Sequence, residues 1–252
     1  MNNVTAWLDR LFQTCEKTGQ QYLDIIIDQC GMDISVIPAL CGFSPEIKWH
    51  SLYQGLPEDI YREDAPLLVR IELNDEQQVL WMRELAEDIL PHAPLLVIGS
   101  LWNFPELAKW LGQCVNASHE GREGIFRFWD TRIFPYLFSS ALSDEGQKQL
   151  LRPAIFWSWL DQDGNEGLIT GSGRPVGKDT CKQITFTDRQ FETLMCLADA
   201  KRFLTERGLP VNRFSSKEEA FFACFNAMQL ATKERLLLDE DRDTLVLQQL
   251  TR

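Results

Sequence analysis

The run Leu95-Leu96-Val97-Ile98-Gly99 limits most sharply what this chain can become. It is wholly apolar and short, and Pro91 and Pro94 precede it. A membrane-crossing helix needs about 20 apolar residues, and even the widest apolar window, 93–102, falls well short of that. A brief unbroken apolar run suits a central strand instead. Two more strands read from the same side of the chain, Tyr22–Ile27 and 66–73 (PLLVRIEL). Helical patterns alternate with them. Val4, Trp7, Leu8, Leu11, Phe12 and Cys15 follow the i, i+3, i+4, i+7 spacing of one helix face, with Gly19 as a left-handed stop. A second helix spans 75–90, and Asn103 caps a third that runs to about 112.

Beyond residue 112 the alternation gives way to hairpins. Segments 113–117 and 124–129 flank the turn His119-Glu120-Gly121-Arg122, and 154–160 and 167–170 flank the turn 161–166 (DQDGNE). Short helices over 131–140 and 144–151 lie between them. The expected fold is α/β, a mixed β-sheet flanked by helices. Gly171-Ser172-Gly173-Arg174-Pro175 reads as a linker. After it, Thr187 with Gln190 and Ser216 with Glu219 form two capping-box patterns, opening helices to about 207 and 238. The second helix carries Phe221, Phe222, Phe225 and Met228 on one face. The predicted organisation is therefore a mixed α/β domain over 1–175 and a smaller helical C-terminal lobe over 176–252.

Charge narrows the function. With 25 Lys and Arg against 37 Asp and Glu, the 252 residues carry a net charge of −12. Neutralising phosphates or an anionic membrane needs a field of cations, so neither nucleic acid nor membrane is an expected partner. Met1-Asn2-Asn3-Val4 lacks the basic start and apolar core of a secretory signal. The seven cysteines are odd in number and none are paired at metal-knuckle spacing, which points to free thiols in a reducing cytoplasm.

Catalytic patterns mostly fail. Gly173-Arg174-Pro175-Val176-Gly177-Lys178 imitates a phosphate loop, but Ser172 stands where the first glycine belongs and Asp179 where the magnesium-binding hydroxyl belongs. Residues 161–166 imitate a calcium loop, yet Glu166 replaces the turn glycine and Ser172 the twelfth-position acid. A hairpin turn is the better reading. His50, His92 and His119 have no metal-ligand spacing. No cofactor and no metal are expected. Two features remain. Segment 58–88 holds ten acids against three bases, read either as solvated helix faces or as a field that steers a basic partner. In Phe126-Arg127-Phe128-Trp129-Asp130-Thr131-Arg132, alternation suggests a half-buried strand, with Asp130 as a helix cap and Arg127 in a structural ion pair.

That last motif, with three others in order, resembles the adaptor-chaperone family of type VI secretion. Tyr22-Leu23-Asp24 opens the first strand, Leu52-Tyr53-Gln54-Gly55-Leu56-Pro57 is similar to the family's "LY-x-G" segment, Ala65-Pro66-Leu67-Leu68-Val69 to its "APYLV" strand, and residues 126–132 to "FRFYDPR". Trp129 and Thr131 stand where Tyr and Pro are usual. The resemblance spans about 20–160 and is strongest at Arg127, Asp130 and Arg132. It implies a cytoplasmic, non-enzymatic protein that binds the N-terminal region of a cognate toxin effector and helps load it onto the VgrG spike. Binding polypeptide needs an apolar patch with a polar rim. Trp102, Trp110, Phe221 and Phe225 are candidate exposed anchors, with Arg127, Trp129, Asp130 and Arg132 as candidate contact residues. A different reading is a small-molecule enzyme with its site near the end of strand 95–99, where Ser100 follows the apolar run.

Overall fold

The apolar run does form a strand inside a sheet, and all six residues of Leu95–Ser100 are buried. The computed structural model describes residues 3–30, 32–90, 94–177, 180–208 and 213–251. Met1, Asn2, Pro91, His92, Lys178 and Asp179, named above, lie outside the described residues. In chain order the elements are α1 (Asn3–Thr18), β1 (Tyr22–Ile27), α2 (Ile37–Cys41), β2 (Lys48–Ser51), β3 (Leu67–Glu72), α3 (Glu76–Ile89), β4 (Leu95–Ser100), α4 (Phe104–Val115), β5 (Asn116–His119) and β6 (Arg122–Ile125). Then come α5 (Phe134–Tyr136), extended by a wide helical turn over Leu137–Ala141, α6 (Asp144–Leu151), β7 (Ala154–Leu160), β8 (Glu166–Thr170), β9 (Ile184–Phe186), α7 (Asp188–Arg207), α8 (Lys217–Lys233) and α9 (Asp239–Thr251).

Six strands pair in the order β2-β3-β1-β4-β7-β8. Every neighbouring pair is antiparallel, so among the described residues parallel pairing is confined to β5 against β9 in a small sheet ordered β6-β5-β9. Period-2 alternation divides each central strand between two cores. Leu23, Ile25 and Ile27 of β1 face Trp7, Leu8 and Leu11 of α1 and Met82, Leu85 and Ala86 of α3. Ile26, with Leu68 of β3 and Ile98 of β4, faces Leu107 and Leu111 of α4. That second core continues without a break to Phe203 of α7, Phe221 and Phe225 of α8 and Val246 of α9. The helices are capped as their sequences require. Asp75 and Asn103 accept backbone N–H groups at the starts of α3 and α4, and Thr187 with Gln190 completes a full capping box. At α8, Ser216 accepts the Glu219 N–H, but Glu219 reaches back to the Ser215 N–H instead of closing the reciprocal bond.

Several expectations change. The strand expected over 124–129 ends at Ile125, because Phe126, Phe128 and Trp129 all turn inward and no alternating face remains. The helix expected to reach 238 stops at Lys233, and α9 is separate. Phe222 is half exposed instead of sharing the buried face of Phe221 and Phe225. Hairpin turn 161–165 is locked by the Asp161 carboxylate, which accepts the Asp163 and Asn165 N–H groups at 2.9 and 2.7 Å. Asp163 in turn accepts the Lys217 and Glu218 N–H groups at 2.8 and 3.0 Å, so the calcium look-alike caps α8.

Candidate functional site

Three of the four motif segments meet at the C-terminal end of β1, while Tyr22-Leu23-Asp24 opens the strand at its other end. Phe126 N–H donates to the Val115 carbonyl at 2.8 Å, and the chain then coils through 126–133. Phe128 and Trp129 plug the core below the sheet, Phe128 edge-on to Trp157 and Trp129 edge-on to Tyr53 of the LYQG segment. With the rings inside, the charged side chains between them span the seam between layers. Arg127 Nη2 donates to Asp28 Oδ2 at 2.6 Å, just past β1. Arg132 grips Asp130 with two bonds of 2.7 and 2.8 Å, and Lys201 Nζ of α7 donates to the same carboxylate at 2.8 Å. Asp130 also accepts the Arg132 N–H at 3.2 Å. It therefore closes a turn two residues long and does not cap α5, whose own N-cap is Ile133.

Burial sets the charges against each other. Burial raises the Asp28 carboxyl above its ordinary value, against the pull of Arg127 and with a further push from Asp130. Burial would raise Asp130 as well, but Arg132 and Lys201 outweigh it and hold that carboxyl at about 2. The Arg127 and Arg132 side chains remain about a third exposed (32% and 30%), while Asp28 and Asp130 are closed off. Further along β1, Asp24 opposes Arg70 of β3. The two form a buried bidentate pair at 2.8 Å, and Arg70 also donates to the Trp102 carbonyl and lies 3.7 Å over the Tyr22 ring. Burial lifts Asp24 to about 6 in spite of Arg70.

The structure brings together Arg127, Trp129, Asp130 and Arg132 of the expected contact set. The four expected anchors lie elsewhere and none is exposed. Trp102 is 4% exposed, its indole N–H bonded to the Arg174 carbonyl, and Trp110 packs edge-on to it. Phe221 and Phe225 flank Tyr136 in the α7–α9 core. Their apolar area is spent on folding, which is the reason they cannot serve as exposed anchors. Asp28 and Lys201 were missed. Asp28 is a single acid just past β1 and Lys201 a single cation inside α7, and the partners of both are remote in sequence.

The other reading placed chemistry at Ser100. Its hydroxyl is fully buried, donating to the Pro153 carbonyl at 2.7 Å and receiving the Trp102 N–H at 3.2 Å. The strands on both sides of β4 run antiparallel to it, so the crevice at aligned strand ends that parallel sheets offer does not form there. Among the described residues, no group of three or more His, Cys, Asp or Glu is set to hold a metal. None of their helices is long and apolar enough to cross a membrane.

The fold is an antiparallel sheet between two helical layers, tied at its seam by the Arg127–Asp28 pair and the Arg132–Asp130–Lys201 cluster. A protein-family model described as a domain of unknown function (DUF4123) matches residues 25–149, just under half of the chain. That family is associated with type VI secretion effector adaptors. No curated protein and no solved structure matches the chain.

Proposed function

We propose that this protein is a type VI secretion adaptor: it binds the N-terminal region of one cognate toxin effector in the cytoplasm and helps seat it on the VgrG spike, catalysing nothing itself. The family match over 25–149 carries this reading, because it ends beyond the 126–132 motif and includes Asp28 and the 52–57 and 65–69 segments that lie beside it. Arg127 and Arg132 favour it too. Each holds a buried carboxylate and stays about a third exposed, and Arg is enriched at protein interfaces. The closed hydroxyl of Ser100 weighs against the enzyme reading.

The test is co-expression of the tagged chain with the toxin and the spike protein of the same secretion cluster, followed by co-purification. Retention of the intact toxin, and its loss when the toxin's N-terminal region is deleted, is the expected result. A toxin that folds, stays soluble and reaches the spike without this chain would overturn the reading.

A further inference from the structure

Two of the seven cysteines are set apart by their geometry. Cys114, fully buried in the last turn of α4, and Cys181, half-buried ahead of β9, hold their sulfur atoms 3.6 Å apart. The sheet register explains the approach. β5 follows α4 directly and pairs in parallel with β9, Ala117 opposite Ile184 and His119 opposite Phe186. Cys114 and Cys181, three residues upstream on each side, keep the same offset of 67 positions. The pairing that seats Ile184 and Phe186 in the core therefore sets the two thiols side by side. A disulfide needs about 2.05 Å between its sulfurs, a gap that small side-chain rotations close.

The pair is built asymmetrically. Cys181 lines a groove of about 730 Å³ whose walls include Phe104, Ala108 and Gly112 of α4 and Gln54 and Leu56 of the LYQG segment, whereas Cys114 is closed to solvent. The Cys114 thiol donates to Cys181. That bond favours the Cys181 thiolate and holds the group below its ordinary value, while the same bond and burial raise Cys114 well above its own. A reachable thiolate with a second thiol in contact is what thiol–disulfide exchange requires. We infer that Cys114 and Cys181 form a redox-sensitive pair, which a low-molecular-weight disulfide such as oxidised glutathione converts to an intramolecular disulfide. The Cys181 thiolate attacks one sulfur of the oxidant, forming a mixed disulfide and expelling one thiolate. Cys114, its proton passing to a departing thiolate, then attacks the Cys181 sulfur and expels the second. Two electrons pass from the cysteines to the oxidant, and the two thiol protons end on the two released thiols. The new bond ties the end of α4 to the segment entering β9 and α7, so oxidation staples the helical lobe to the sheet. The inference is independent of the adaptor reading.

The test is to incubate the folded chain with oxidised glutathione, block remaining thiols with N-ethylmaleimide and map the non-reduced peptides by mass spectrometry. The expected product is a Cys114–Cys181 cross-link, with the thermal midpoint raised by about 5–10 °C and returned by dithiothreitol. Cys181→Ser should abolish both effects, and joint substitution of the exposed cysteines, Cys30→Ser with Cys41→Ser, should leave both intact. Cys114→Ser should trap Cys181 as the mixed disulfide; if that variant melts early when reduced, Cys114→Ala carries the same arm. Wild-type Cys181 that stays unmodified or ends glutathionylated without joining Cys114, a cross-link from it to another cysteine, or a midpoint that oxidation does not raise would each overturn the inference.

Discussion

Replacing Asp130 with Asn isolates what the seam charges contribute. Asn has the same shape and can still accept the Arg132 N–H, but it cannot hold two cations. The magnitude follows from the carboxyl's displacement from 3.8 to about 2. At about 1.4 kcal/mol per unit, the ionised form stabilises the native state by ~2 kcal/mol at neutral pH. Arg132 and Lys201 are about a third exposed, so both can turn to water and neither becomes a stranded buried charge. Asp130→Asn should thus lose ~2 kcal/mol in urea unfolding at pH 7 and roughly 5 °C in thermal midpoint. The pH dependence has a definite sign. Because the folded-state value lies below the unfolded one, the unfolded chain takes up the proton first, and the stabilisation is complete above about pH 4 and fades toward pH 2. The gap between wild type and variant should therefore close over that window. A cycle with Lys201→Met should recover a coupling of ~1 kcal/mol. A variant within ~0.5 kcal/mol of wild type at pH 7, or a gap constant from pH 5 to pH 3, would refute the reasoning.

Three further outcomes are expected. Arg127→Ala strands the enclosed Asp28 and should cost ~1–3 kcal/mol at pH 7; because Asp28 is then pushed still higher, the loss should shrink as pH falls toward 5, which urea titrations at both values will check. Arg70→Met leaves Asp24 alone in full burial and should cost ~3–5 kcal/mol, most of it regained when Asp24→Leu is added, as calorimetry of the single and double variants will show. Charge reversal at Glu84, Glu87 and Asp88, all exposed on α3, should leave the melting temperature unchanged and slow association with a basic partner at low salt; an unaltered on-rate in stopped-flow mixing would reject the steering role of that face.

The sequence revealed what local pattern governs and missed what the folded topology creates. β1 and β4 were legible because a strand buried on both faces must be apolar almost throughout, and α3, α4 and α7 because their caps are spelled out at Asp75, Asn103 and Thr187. Segment 126–129 misled for a physical reason. Alternating Phe and Arg suits a half-buried strand and equally a coil whose rings all point inward; only the Phe128 and Trp129 packing partners, Trp157 and Tyr53, decide between them. The Arg127 ion pair was readable as a type of contact but not as a bond to Asp28, 99 positions away, nor Asp130's to Lys201, 71 positions away. Arg174 lies in what reads as a linker over 171–175, yet its N–H and those of Gly171, Ser172 and Gly173 bond the carbonyls of Arg152, Ile155, Leu151 and Ala154. A segment tied down in this way leaves no spaced motif, because each of its bonds is made by backbone groups that nearly every residue type carries.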